Sequence, residues 1–63
     1  MNWELYEIWS RSIDGHEDLV DTTKSLKEAQ DIARDTIDGH EIIECVIYRE
    51  TLDGDLEEIE TVK

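Results

Sequence analysis

The tetrapeptide Ile-Asp-Gly-His occurs twice in this chain of 63 residues, at residues 13–16 and 37–40, and a close variant, Leu-Asp-Gly-Asp, stands at residues 52–55. Each copy contains an Asp-Gly pair, which tolerates the positive φ that tight turns and helix ends require. The fold prediction depends on these three sites, because each one falls where a pattern of apolar residues stops and another begins.

The first copy separates two segments with the composition of β-strands. Residues 3–11, WELYEIWSR, are rich in aromatic residues and isoleucine, and residues 17–22 form the second segment. We expect a hairpin with a three-residue loop at residues 13–15, in which Gly15 adopts the left-handed conformation. That loop length predicts three cross-strand pairs: Ile8 with Val20, Trp9 with Leu19, and Arg11 with Glu17.

A helix is predicted at residues 26–38. Ser25 and Glu28 have the spacing of a capping box, in which each side chain bonds the other's backbone N–H. Gly39, in the second tetrapeptide, follows the last apolar position and predicts the end of the helix. Apolar residues recur at helical spacing, at Leu26, Ala29, Ile32, Ala33 and Ile37. Polar residues fill the other face, at Lys27, Gln30, Asp31, Arg34 and Asp35.

The third copy lies between two further strand segments. Residues 41–50, EIIECVIYRE, are almost continuously apolar in their centre, which predicts a strand inside the sheet with both faces covered. Residues 52–54 then form a second three-residue loop, and residues 56–62 form the last strand. The predicted cross-strand pairs are Arg49 with Glu57, Ile47 with Ile59, and Cys45 with Thr61.

Residues 1–63 therefore form a single α+β domain of ββαββ order. We expect a four-stranded, mainly antiparallel sheet built from two hairpins, with one helix packed on one face. Beyond the shared turn and a nearby Arg–Glu pair, the two hairpins diverge in sequence. That divergence favours convergent turn chemistry over an internal duplication.

One helix covers only one face of such a sheet, and the chain has apolar residues for both. We expect Ile43, Cys45, Ile47 and Ile59 on the helix side of the second hairpin. In the first hairpin the pattern leaves two sets open: Trp3, Leu5, Trp9 and Leu19 face away from the helix, or Tyr6, Ile8 and Val20 do. Aromatic side chains on an exposed face are favoured interface anchors. The predicted apolar interface consists of Trp3, Trp9, Val46 and Tyr48.

The chain is strongly acidic, with 18 acids against 6 bases and a net charge of −12. This charge excludes direct binding to nucleic acid or to an anionic membrane, because phosphate contacts need Lys and Arg. It points instead to a basic protein partner, one that binds nucleic acid. The predicted partner-binding surface is the acidic last hairpin, with Glu50, Asp53, Asp55, Glu57, Glu58 and Glu60. In charge and length the chain resembles the phage-type nucleic-acid mimics that inhibit host nucleases, glycosylases or CRISPR effectors.

No motif predicts catalysis, a metal or a cofactor. The acids that follow Asp53 begin like a calcium loop, but Glu58 stands where an EF-hand needs glycine. His16, His40 and Cys45 lack the spacings that hold a transition metal, and we assign the two histidines no function. Cys45 lies in an apolar run and is expected to fill the core. There is no glycine-rich phosphate loop and no nucleophile elbow.

We therefore expect a small non-catalytic protein-binding module that occupies the basic groove of a nucleic-acid-processing protein. The alternative is a structural protein that forms a homodimer through the sheet face left bare by the helix. The N-terminus lacks the pattern of a secretory signal, and no run of about 18 apolar residues occurs. A cytoplasmic location is expected, in the host cell if the gene is viral.

Overall fold

The fold contains four strands and one helix in the predicted order. A computed structural model describes residues 5–38 and 41–63. Its elements are β1 (Leu5–Ser12), β2 (Glu17–Thr23), α1 (Leu26–Ile37), β3 (Ile42–Glu50) and β4 (Leu56–Val62). All strand neighbours are antiparallel, in the order β2-β1-β3-β4, and α1 packs on one face of the sheet. The α+β prediction is confirmed, and β3 is an inner strand, as its apolar run indicated. The expectation that both faces of β3 are covered is wrong, because among the described residues α1 covers one face and the other lines a surface groove.

Both hairpin turns have the predicted three-residue loop. In the first, the N–H of Ser12 donates to the carbonyl oxygen of His16 at 2.9 Å. In the second, the N–H of Thr51 donates to the carbonyl oxygen of Asp55 at 2.8 Å. The glycines have the positive φ that such loops require, 91° at Gly15 and 88° at Gly54.

One half of the predicted capping box is present in α1. The Ser25 hydroxyl accepts the N–H of Glu28 at 3.4 Å. The Glu28 carboxylate does not return to Ser25; it accepts the hydroxyl of Thr23 at 2.6 Å, and Thr23 Oγ1 accepts the N–H of Ser25 at 3.4 Å. The Thr23 hydroxyl thus connects the Glu28 carboxylate to the Ser25 N–H, in place of the direct hydrogen bond of a capping box. The helix ends at Ile37, and Gly39, the predicted terminator, lies outside the described residues.

The first hairpin contains a β-bulge that the sequence prediction missed. Two predicted pairs are confirmed, Trp9 with Leu19 and Arg11 with Glu17. The third is wrong, because Ile8 pairs with Asp21 and not with Val20. The register shifts between Ile8 and Trp9, because β2 contains one extra residue at this point. Every pair that lies beyond the bulge, on the side away from the turn, is therefore displaced by one position.

The second hairpin has a bulge at the corresponding place. Arg49 pairs with Glu57 as predicted, but the register shifts between Ile47 and Tyr48. Two predictions beyond the shift are therefore wrong: Ile47 pairs with Glu60 instead of Ile59, and Cys45 pairs with Val62 instead of Thr61. Ile59 nevertheless packs against the core, so its assignment to the helix side is confirmed.

The two hairpins correspond position by position. Gly15 and Gly54 stand 39 positions apart, and the same offset relates the two core isoleucines, Ile8 and Ile47. Because β1 and β3 are antiparallel, with Ile8 opposite Ile47, the hairpins are related by an approximate two-fold axis and their turns lie at opposite ends of the sheet. The described chain is accordingly elongated, with extents of 39 × 20 × 15 Å.

The core lies between α1 and one face of the two inner strands, and it answers the question that the sequence left open. Tyr6 and Ile8 are buried beneath the helix, so Leu5, Trp9 and Leu19 belong to the opposite face; Trp3 lies outside the described residues. The buried cluster consists of Tyr6, Ile8, Ala29, Ala33, Cys45 and Ile47. The placement of Cys45 and Ile47 on the helix side is confirmed.

Ile43 is the exception to the predicted core. The β1–β3 register shifts between Arg11 and Ser12, so that Arg11 pairs with Glu44 and Ser12 with Ile42. The extra residue, Ile43, is 51% exposed, and Ile42 packs against the core in its place. The prediction for Ile43 is wrong because it assumed uninterrupted alternation along β3.

Candidate functional site

The sheet face opposite α1, here called the open face, carries an apolar centre. Strand alternation directs Trp9 of β1 and both Val46 and Tyr48 of β3 to this face, since their neighbours Ile8 and Ile47 point into the core. Trp9 lies directly opposite Val46 in the β1–β3 ladder. Three of the four residues predicted as an apolar interface therefore lie together, and Trp3 is outside the described residues.

A depression of about 300 Å³ crosses the open face, and we call it the diagonal groove. It is lined by Trp9, Ser10, Arg11, Glu17, Val46, Tyr48 and Leu56, which come from all four strands. Glu17 begins β2 beside the first turn, and Leu56 begins β4 beside the second. The two turns lie at opposite ends of the sheet, so the groove runs from one corner of the face to the other. Val46, only 6% exposed, forms its floor.

The polar atom of the Trp9 ring is satisfied within the chain. Trp9 Nε1 donates to Glu7 Oε1 at 3.0 Å, which orients the indole on the open face. Glu7 also lies on this face, opposite Tyr48 in the ladder. The exposed part of Trp9 is therefore apolar ring surface, and this is the kind of surface that anchors protein interfaces.

Carboxylates border the apolar centre. Arg11, also on this face, lies between two of them: its NH2 is 3.0 Å from Glu17 and its NH1 is 3.2 Å from Glu44. The hydrogen bond to Glu17, followed by the charge of Glu44, raises the pKa of Arg11 above its ordinary value. The guanidinium is thus engaged inside the chain, and the face as a whole stays negative. The carboxylates of this border, here called the acidic rim, are Glu7, Glu17, Glu44, Glu50 and Glu58.

The structure distributes the six acids predicted as a partner-binding surface over three places. Glu50 and Glu58 belong to the acidic rim, since they pair with Leu56 and Tyr48. Asp53 and Asp55 lie in and beside the second turn. The last two acids, Glu57 and Glu60, fall on the helix side of β4.

Both helix-side acids have partners within the chain. Glu57 Oε2 is 2.7 Å from NH2 of Arg49. Glu60 Oε1 accepts Gln30 Nε2 at 2.8 Å, which draws Gln30 of α1 from the predicted solvent face to the sheet. These two acids lie on the side of the sheet away from the groove, so Glu50 and Glu58 are the members of the predicted set that are positioned to meet a partner beside the groove.

Sequence reasoning missed six groove and rim residues: Glu7, Ser10, Arg11, Glu17, Glu44 and Leu56. The predicted Trp9–Leu19 and Arg11–Glu17 pairs did contain a signal, because strand alternation places both pairs on one face. That signal was insufficient, since the choice between the two faces of the first hairpin depends on which one meets the helix.

Other kinds of site find little support in the described part of the chain. Among residues 5–38 and 41–63, no three His, Cys, Asp or Glu side chains are arranged to hold a metal ion. His16 is exposed, with Nε2 at 3.9 Å from Asp14 Oδ2, and His40 lies outside the described residues. Burial raises the pKa of the Cys45 thiol, which favours its neutral, unreactive form.

Membrane insertion through a helix is not indicated for residues 5–38 and 41–63. None of these residues belongs to a helix with both the length and the apolar character needed to cross a bilayer.

Comparison with known proteins leaves the fold and the open face as the basis for a functional argument. No protein family matches the chain, and no curated protein or solved structure is significantly similar to it.

Proposed function

We propose that this chain is a non-catalytic protein-binding module that uses its open face to engage a basic, nucleic-acid-binding protein. The observation that carries the proposal is the arrangement of Trp9, Val46 and Tyr48 in one groove bordered by the acidic rim. Apolar anchors supply binding energy at the centre of an interface, and charges at the rim supply steering and selectivity. A partner with Lys and Arg around an apolar contact is complementary to both parts.

The charge density supports a partner that normally binds nucleic acid. One strand of a duplex carries a phosphate every 3.4 Å, so a length of 39 Å corresponds to roughly 11 phosphates. The whole chain carries a net charge of −12, and the residues that span that length contain all of its charged side chains except Glu4. Five of the carboxylates, the acidic rim, lie on the open face, so a protein groove that accommodates one strand would meet part of that charge here, and the module would compete with nucleic acid for that groove.

The test begins with affinity capture of nucleic-acid-binding proteins from the native host on the immobilised chain. Each captured protein is identified by mass spectrometry, purified, and titrated with the chain at several salt concentrations. The proposal predicts binding that weakens steeply with salt and that is displaced by duplex DNA or RNA. Salt-insensitive binding, or binding that nucleic acid leaves unchanged, would contradict it.

A pair of charge-matched variants locates the binding surface. The double variant Glu50→Gln/Glu58→Gln removes two rim charges, and Asp35→Asn/Asp38→Asn removes two from the helix end on the other side of the molecule. We expect the rim variant to lose about tenfold in affinity, since two charge contacts are worth roughly 1–2 kcal/mol, and the helix variant to lose less than twofold. Equal losses would mean that net charge alone drives binding.

A homodimer through the open face is the second candidate, because no element within residues 5–38 and 41–63 covers the apolar groove. A two-fold interface would place the acidic rim of one copy against that of the other, which disfavours it at low salt. Sedimentation equilibrium at low and high salt separates the two functions, and the proposal predicts a monomer at physiological salt. A stable dimer that Trp9→Glu dissociates would replace the proposed function with a structural one.

A further inference from the structure

The geometry points to an amphipathic α-helix of the partner as the ligand of the diagonal groove, with an apolar stripe along the groove and Lys or Arg on both flanks. The inference rests on the proposed function and specifies which element of the partner is bound. Three observations support a helical ligand: the length of the groove, the chemistry of its cross-section, and the hydrogen-bonding needs of the ligand's backbone.

The length of the groove suits a helix. Its corner residues, Glu17 and Leu56, begin the two edge strands. On β1, Arg11 lies opposite Glu17, and Leu5 is in line with Leu56 across the sheet. Arg11 and Leu5 are six residues apart along the strand. Six residues along a strand span about 20 Å, and three strand spacings span about 14 Å. The diagonal is therefore roughly 25 Å, the length of about 16 helical residues.

The cross-section of the groove has an apolar centre and acids on each side. Glu17, Trp9, Tyr48 and Leu56 follow one another along the diagonal, each on the next strand, and Val46 lies beside this row. One flank contains Glu7 and Glu50, and the other contains Glu44 and Glu58. A helix with apolar residues at i, i+3, i+4 and i+7 presents a stripe to such a centre and places its flanking side chains over the acids.

Backbone hydrogen bonding favours a helix over an extended segment. A ligand that lies across the side chains of a sheet face has no ladder with which to pair its own N–H and C=O groups. A helix satisfies these groups internally, whereas an extended chain would bury many of them without partners. A second copy of this chain is disfavoured for another reason, since it would bring an equally acidic face to the groove.

The test uses a synthetic 18-residue helix of leucine and lysine and a scrambled peptide of identical composition that has no apolar stripe. Trp3→Phe leaves Trp9 as the single tryptophan, so its emission reports on the groove. We expect the amphipathic peptide to bind at least tenfold more tightly than the scrambled one and to shift the Trp9 emission to shorter wavelength. Equal affinities, or an unchanged Trp9 emission, would overturn the inference.

Matched leucine variants provide a second test. Leu56 is 46% exposed at the end of the groove, whereas Leu52 is 96% exposed in the second turn and does not line the groove. Circular dichroism first establishes that both variants are folded. We expect Leu56→Ser to weaken the amphipathic peptide about tenfold, the value of one buried leucine, and Leu52→Ser to leave it within twofold. Equal effects of the two variants would overturn the inference.

The outcomes separate this inference from the proposed function. If the peptide tests fail while a captured partner still depends on Glu50 and Glu58, the partner uses an element other than a helix and the proposed function stands. If the rim variant and the helix-end variant reduce partner binding equally, the proposed function itself falls.

Discussion

Ile8 and Ile47 lie directly opposite each other on the two inner strands, and both side chains are completely buried beneath α1. This pair joins the two hairpins at the approximate two-fold axis. We expect Ile47→Ala to cost about 2–5 kcal/mol, because it leaves a cavity in the centre of the core. A core of this size supplies only roughly 3–5 kcal/mol in total, so the variant should be largely unfolded at 25 °C.

Urea denaturation followed by circular dichroism measures this loss. The conservative variant Ile47→Val should cost only about 0.5–1.5 kcal/mol and remain folded. Ile13→Ala serves as a surface control, since Ile13 is 75% exposed in the first turn. An Ile47→Ala variant as stable as Ile13→Ala would contradict the central position assigned to this pair.

The two turn glycines should respond alike to substitution. Their φ values, 91° and 88°, lie in the left-handed region, and a Cβ built on either Gly15 or Gly54 meets no atom within 4 Å. An added Cβ therefore destabilises the fold through backbone strain alone. We expect Gly15→Ala and Gly54→Ala to lower the free energy of unfolding by about 1–2 kcal/mol each. Asparagine tolerates this conformation, so asparagine at either position should lower the free energy of unfolding by less than alanine does, as thermal unfolding measures. If asparagine were as unfavourable as alanine, the strain explanation would be wrong.

The buried thiol should make the folded state weaker at alkaline pH. Burial, with a smaller contribution from the charge of Glu44, raises the pKa of Cys45 above its ordinary value of 9.0. Above pH 9 the unfolded chain loses this proton before the folded chain does, so the unfolded state binds fewer protons and stability falls as pH rises. We expect the free energy of unfolding to drop as the pH rises through 9, and less steeply in Cys45→Ala than in the native chain.

Two measurements check this explanation. Denaturant titrations at a series of pH values compare the slopes of the native chain and Cys45→Ala, which share every other titrating group. Identical slopes would exclude the thiol as a cause. In the folded native chain at neutral pH, a thiol reagent should react with Cys45 only at the rate of chain opening, because the side chain is completely buried.

The ion pair between Arg49 and Glu57 should contribute little to stability despite its 2.7 Å separation. Its side chains are 36% and 53% exposed, and an exposed pair is worth no more than about 1 kcal/mol. A double-mutant cycle with Arg49→Gln and Glu57→Gln should give a coupling energy that declines as salt is raised. A coupling that is larger or insensitive to salt would place the pair in a more shielded environment than its exposure indicates.

Local sequence signals predicted the elements and their ends well. The Asp-Gly pairs located both hairpin turns, because a glycine at positive φ is a requirement of the loop itself and does not depend on distant residues. The Ser25–Glu28 spacing likewise located the start of α1. Such signals involve residues a few positions apart, so the sequence determined the ββαββ order and the α+β class.

These local signals did not predict the two bulges. Ile8 opposite Val20, and Ile47 opposite Ile59, are better apolar pairs than the ones formed, Ile8 with Asp21 and Ile47 with Glu60. A bulge depends on sheet twist and on how the edge strands wrap the core, which no single pair expresses. The prediction of the candidate site was incomplete for a similar reason. Both faces of β1 carry large apolar side chains, and local signals do not indicate which face meets the helix.

The chain by itself determined its elements, its turns, its acidity and the presence of apolar residues for two sheet faces. The tertiary structure decided which face meets α1, and with it the position of Trp9 beside Val46 and Tyr48 in the diagonal groove. The physical reason is that a helix can cover only one face. Burying Tyr6 and Ile8 beneath it necessarily leaves Trp9 and the acidic rim on the other, and that choice belongs to the packing of the whole domain.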